Sequence, residues 1–177
     1  MDGVDAKPDH MTSLRGNTLV PKDHPVIALR GRIDSLEATI LLAQVEFRRL
    51  GQEAAVADLG DVLDAVKAVM RAEVMAAPLP PLTLLGLDAD QVRDRSHHPR
   101  LYAGIDHFAP SVDDGWAVVT LNALRTEARE AELAAYRAFK RPDGPHSTRP
   151  DILQTMNRLS SALYLMMFKA KTGQYDA

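Results

Sequence analysis

Apolar residues recur along this chain at spacings of three and four over four long stretches. In PVIALRGRIDSLEATILLAQVEFRRL, Ile33, Leu36, Ile40, Ala43 and Phe47 fall on one stripe. That is the 3.6-residue period of an amphipathic helix, and Gly51 ends it. A second helical stretch, QEAAVADLGDVLDAVKAVMRAEVMA, is stopped by APLPPL. The third runs from about Trp116 to Lys140, with Leu121, Leu124, Ala128, Ala131 and Ala135 on one face. A fourth begins at Pro150, a residue tolerated in the first turn of a helix, and reaches about Lys171. It buries Met156, Leu159, Leu163 and Met166 or Met167. Residues 78–114 read as a long connection, punctuated by Pro78, Pro80, Pro81, Pro99 and Pro110 and by Gly86 and Gly104. Within it, LDADQVRDR predicts a short helix capped by Asp88.

Residues 1–24 read as irregular, broken by Gly3, Pro8, Gly16, Asn17 and Pro21, and RPDGPHSTRPD as a loop. No internal repeat and no strong strand pattern stand out. The expected fold is all-α: a five-helix bundle of four long antiparallel helices plus a short one. Residues 1–24 form an N-terminal segment and 25–177 the helical bundle, in a single domain overall. A compact domain rarely keeps a connection of more than about 30 residues without a use for it. Function is therefore sought in residues 1–24 and 78–114 and at one charged edge of the third long helix.

Composition narrows the chemistry. Aromatics are only 5% of 177 residues while Ala and Leu abound, a balance that favours helix over strand. A net charge of −3 and the lack of a basic face exclude a general nucleic-acid or membrane-surface binder, a helical DNA-binding regulator included. The absence of cysteine excludes disulfides, zinc–thiolate sites, iron–sulfur clusters and thiol catalysis. No apolar run approaches the roughly 20 residues that span a bilayer, and the first ten residues do not read as a signal peptide. The expected setting is cytoplasmic.

One helix edge is unusual. At 100° per residue, Arg125 and Glu132 lie roughly 20–40° outside Leu121, and Arg129 roughly 80°. Arg125 and Arg129 form a like-charge i,i+4 pair that Glu132 partly offsets. They are either a solvated ladder of charges or two guanidiniums awaiting an anion, and composition alone does not decide. Asp34 stands one step from Ile33; it is either exposed or half-buried and in need of a cationic partner. Thr12, Ser13, Gly16 and Lys22 combine hydroxyls, backbone N–H groups and a cation, as a phosphate chain requires, but without a Walker pattern. Asn157, beside the apolar face of the fourth helix, is a core amide or a nucleoside contact. His97, His98, Asp106 and His107 could ligate a metal, but no helical Glu-x-x-His pair accompanies them, and ordinary loop histidines fit better.

Taken together, TSL…G…VPKDHP…ALRGRIDSLEA, LNALRTEAREAE and RPDILQTMNRLSSALYLMM resemble the ATP:corrinoid adenosyltransferases, in the order that family uses. The likeness covers about residues 7–168. It is greatest to the ethanolamine-utilisation branch, through KPD, SHHPRLY…DH…P and the Asn157-containing motif.

The resemblance implies a homotrimer with ATP sites between subunits. It pairs Asp34 with Arg125 across a subunit boundary and sets Arg129 on the ATP triphosphate. Asn157 and Glu132 are implied in the nucleotide site, with Mg²⁺ near Glu132. Thr12, Ser13 and Lys22 belong to the implied phosphate-binding segment. The implied reaction joins ATP and cob(I)alamin into adenosylcobalamin and triphosphate, with cobalt itself as the nucleophile. An apolar side chain covers the corrin in related enzymes; here Phe108 or His107 aligns with it. A cobalamin reductase as partner and a setting at a bacterial microcompartment follow from the same likeness.

Two departures stand out. KPDHM replaces the Gly-rich run found before Thr-Ser in related enzymes. Longer members of the branch also carry an N-terminal extension whose His and clustered Cys bind a divalent metal. This sequence begins past it, which implies either a metal-independent site or a trimmed or divergent version. A rival reading is a non-catalytic paralogue that binds or delivers the cofactor, or a helical partner protein of a microcompartment.

Overall fold

The computed structural model describes residues 7–176; what was expected of residues 1–6, Gly3 included, lies outside them. Helices dominate, as the apolar period predicts. α1 spans Pro25–Arg49, α2 Glu53–Val74, α3 Ala89–His97, α4 Pro99–Ala103, α5 Gly115–Phe139 and α6 Pro150–Lys171. Every residue expected on the apolar stripes of α1, α5 and α6 is buried, and both Met166 and Met167 are inside. α1 packs on α2 and α5, and α6 on α5 and α2, so the four long helices close a ring around one core.

Neighbours in that ring run antiparallel. Phe47, near the end of α1, meets Trp116 at the start of α5, with ring centroids 4.9 Å apart. Lys169, near the end of α6, donates to Asp58 in the first turns of α2 at 2.7 Å. Gly51 makes the first reversal possible: it takes φ +75° just past α1, a conformation glycine adopts without a Cβ penalty. Among the described residues no helix is long and apolar enough to cross a membrane.

The connections hold more structure than the sequence pattern suggests. The segment before α1 is not irregular throughout. β1 (Met11–Arg15) and β2 (Thr18–Pro21) form an antiparallel hairpin turning at Gly16 and Asn17. Two strands of five and four residues are too short to carry an alternation that can be read from sequence. A second, minimal hairpin pairs β3 (Thr83–Leu84) with β4 (Leu87–Asp88). It delivers Asp88 to cap α3, where Asp88 Oδ1 accepts from the backbone N–H of Asp90 and of Gln91. α4, a single turn, is a helix that the pattern did not predict. His97 closes α3 and His98 precedes α4, so neither sits in open loop.

A buried ion cluster ties the first hairpin to the bundle. The Glu73 side chain, near the end of α2, is fully buried. Arg30 Nε donates to its Oε2 at 2.6 Å, and Arg15 Nη2 to its Oε1 at 3.0 Å. Arg30 also donates to the Leu14 carbonyl at 2.9 Å, so the two arginines hold β1 against α1 and α2. Removing the carboxylate would strand two cations. Glu73→Ala is expected to cost about 3–5 kcal/mol in urea-denaturation stability and to open the hairpin to proteolysis. A loss under about 1 kcal/mol would show that the cluster does not anchor it.

Candidate functional site

α5 and α6 meet along an edge where the charges singled out in the sequence reappear. Two contacts across it set the register. Asn157 Nδ2 on α6 donates to Glu132 Oε1 on α5 at 2.8 Å. The Arg125 guanidinium on α5 lies over the Tyr164 ring on α6, 5.5 Å from its centroid. Each pair is seven residues from the other along its helix, two turns or about 10 Å. Arg129 stands on the turn between them, exposed to solvent. No described carboxylate lies within ion-pairing distance of it.

The residues at this edge are held from behind. Arg125 Nε and Nη2 donate to Asn122 Oδ1, one turn earlier, at 3.3 and 3.2 Å. Asn157 is fixed at both ends of its amide: its Oδ1 accepts from Arg158 Nη1 at 2.5 Å while its Nδ2 faces Glu132. Arg158 is itself buried, and its Nε donates to the Ala89 carbonyl at the start of α3 at 2.8 Å. A cation hidden on α6 thereby orients the amide expected to meet a nucleoside.

Beyond Tyr164 the edge becomes aromatic. His107 stacks on Tyr164 at 5.8 Å, and its Nδ1 is 3.1 Å from the Tyr164 hydroxyl. The Phe108 ring lies 6.4 Å from Tyr164 and 5.6 Å from Phe168. Lys171 sits over Phe108 at 4.7 Å and also binds Asp114, just before α5. The Lys171 ammonium, with the Ser111 backbone N–H, holds the Asp114 carboxyl below the usual carboxylate range. Both His107 and Phe108, the two residues aligned with a corrin cover, thus pack against the second half of α6.

The remaining expected residues lie elsewhere in the chain. Thr12 and Ser13 sit on β1, where alternation turns Ser13 outward and Thr12 to the side of Leu14, which packs on the core. Lys22 follows β2, and its backbone N–H closes the hairpin on the His10 carbonyl at 2.9 Å. Asp34 is exposed on the outward side of α1, so the half-buried alternative does not hold within one chain. Among the described residues Asp34 and Arg125 make no ion pair with each other.

The histidines are engaged separately: His97 Nδ1 with the Arg93 carbonyl, His98 Nδ1 with Asp94 and His107 with Tyr164. No three His, Asp or Glu side chains converge as a metal site among the described residues.

Sequence reasoning missed Tyr164, Arg158 and Glu73. Tyr164 could have been found, since it follows Asn157 by seven positions and so shares its helix edge. Glu73 follows Val66 by seven and Val69 by four, a carboxylate in an apolar stripe. Its partners Arg15 and Arg30 come from distant positions and carry no local signal.

Comparison with known proteins places the chain in a family. The chain is 35% identical over 161 residues to the corrinoid adenosyltransferase EutT of Salmonella typhimurium, an alignment covering 91% of this chain and 58% of that protein. It is 34% identical over 171 residues to the protein of the same name from Escherichia coli, covering 97% of this chain and 62% of that one. The chain thus spans about three-fifths of the length of these curated relatives. No solved structure matches it. The cobalamin adenosyltransferase family model matches residues 4–170, nearly the whole chain, and the chain belongs to that family.

Proposed function

We propose that the protein transfers the 5′-deoxyadenosyl group of ATP to the cobalt(I) of a reduced corrinoid. The cobalt electron pair attacks C5′, a cobalt–carbon bond forms, the C5′–O bond breaks and triphosphate leaves with that bonding pair. Such a reaction asks the protein for no Ser, Cys or His nucleophile. It asks for two substrates held in line and for stabilisation of a leaving group of high negative charge. One observation carries the reading: a single α5–α6 edge runs from Arg129, Glu132 and Asn157, through Arg125 and Tyr164, to Phe108 and His107.

In this reading Arg129 and Lys22 bind the triphosphate, with Thr12 and Ser13 on the hairpin, so residues 1–24 act as the nucleotide-binding segment. Asn157 and Glu132 meet the nucleoside or its Mg²⁺. Glu132 fits that ion as one carboxylate, since the Asn157 amide engages only its Oε1. A magnesium bound mainly through substrate phosphates and water needs little more from the protein. Phe108, with His107 beside it, supplies the surface that excludes the lower axial ligand of the corrin.

The site is completed by a second copy of the chain, in a trimer. The outward side of α1 supports this: Leu42 and Val45 are 72% and 69% exposed, and Asp34 stands on the same side of the helix. Asp34 of one subunit then reaches Arg125 of the next. The product would serve ethanolamine breakdown in the cytoplasm, at or near a microcompartment, with a reductase supplying cobalt(I).

The test is an anoxic assay with chemically reduced cobalamin, ATP and Mg²⁺, read by the absorbance of light-sensitive adenosylcobalamin. Product formation is expected. Binding of ATP or corrinoid without any product would overturn catalysis in favour of a carrier.

A further inference from the structure

Tyr164 touches both halves of this edge. Its ring seats the Arg125 guanidinium on one side, and its hydroxyl reaches His107 Nδ1 at 3.1 Å. The same ring packs against Phe108 and, with centroids 4.5 Å apart, against Phe168. Ring and hydroxyl therefore have separable tasks. The ring's face attracts a cation and needs no oxygen to do so. The hydroxyl and His107 Nδ1 stand within hydrogen-bonding distance, a contact that fixes the His107 ring and, through the chain, its neighbour Phe108.

We propose that Tyr164 is a positioning residue that holds the corrin-side pair His107–Phe108 in register with the nucleotide-side Arg125. The proposal rests on the adenosyl-transfer reading, in which His107 and Phe108 face the corrin and Arg125, through its pair with Asp34, helps assemble the ATP site. Two substrates that must meet in line tolerate little relative displacement, and a shift of about 1 Å can cost a hundredfold in rate. A shared side chain between their contacts limits that displacement. Phenylalanine at this position would keep the ring contacts, so core filling does not account for a hydroxyl within reach of His107.

Tyr164→Phe keeps the ring and removes only the hydrogen bond. Its expected signature is an unchanged melting temperature and ATP affinity within about twofold of wild type. The kcat should fall about tenfold, with little change in the KM for ATP. Bound cob(II)alamin should also lose its lower axial ligand less completely, as read by electron paramagnetic resonance.

Tyr164→Leu should in addition weaken ATP binding several-fold, because Arg125 loses its seat. His107→Asn keeps an oxygen near the Nδ1 position and should retain most of the ligand-off fraction, whereas His107→Ala should behave like Tyr164→Phe and add nothing to it. A Tyr164→Phe variant with wild-type kcat and ligand-off fraction would overturn the proposal. So would one whose losses only track a lowered melting temperature. Should the wild-type protein itself form no adenosylcobalamin, the functional reading fails first, and the resonance signal alone still reports whether the hydroxyl positions the His107–Phe108 pair.

Discussion

Arg129→Ala should lose ATP binding by about a hundredfold or more while the bundle stays folded. The magnitude follows from the chemistry of the contact. A guanidinium gives a phosphate chain two parallel charge-assisted hydrogen bonds, each contributing about 1.5–3 kcal/mol. Charge that grows on the departing triphosphate raises the cost further in the transition state, so kcat/KM should fall by about 10²–10³. The fold should not notice, because Arg129 is exposed and no described carboxylate pairs with it. Exposed substitutions of this kind usually change stability by less than about 0.5 kcal/mol. Arg129→Lys should recover only part of the affinity, since an ammonium keeps the charge but not the fork. Isothermal titration with ATP and Mg²⁺, alongside a thermal melt, separates the two effects. Normal ATP affinity in Arg129→Ala, with a normal melt, would remove the α5–α6 edge from the nucleotide site. Corrinoid binding, carried by Phe108 and His107 in this reading, should survive the substitution.

What could be read from the sequence divides along a physical line. The four long helices and the Asp88-capped α3 follow from local periodicity and capping, which a single stretch of chain contains. The clustering of Arg125, Arg129 and Glu132 on one edge is equally local, because helical spacing dictates it. What escaped is whatever depends on a distant partner. The hairpin of β1 and β2 is short, and it is held in place by the buried contacts of Arg15 and Arg30 with Glu73.

The same holds within the site. That Asn157 neighbours Glu132 requires the α5–α6 register, and that Arg158 orients Asn157 requires knowing that Arg158 is buried. A buried arginine between Asn157 and Leu159 reads, in sequence, like any solvated charge. Residue types from the resemblance could be placed on the chain, but their grouping into a nucleotide end and an aromatic end needed the packing.

Mixing two inactive variants should restore activity, and this tests where the active site is assembled. Asp34→Ala and Arg125→Ala are each expected to lower kcat/KM by about 10²-fold or more, since removing one partner of a desolvated ion pair costs about 3–5 kcal/mol. Each variant keeps the residue that the other lacks. If the pair joins neighbouring subunits, randomly mixed trimers place an intact Asp34 opposite an intact Arg125 at about one boundary in four. Activity after mixing and reassembly should therefore return to about a quarter of wild type. A pair formed within one chain gives no such recovery, because no single chain in the mixture carries both residues. The geometry sets the stakes. Asp34 is exposed on α1 and makes no ion pair with Arg125 within the chain, while Arg125 is already seated on Tyr164 with its guanidinium held by Asn122. An arginine braced on two sides and still short of a carboxylate is prepared for one from outside. Absence of recovery in a mixture shown by mass to contain hetero-oligomers would refute the intersubunit pair, and with it the assembly of the ATP site from two copies.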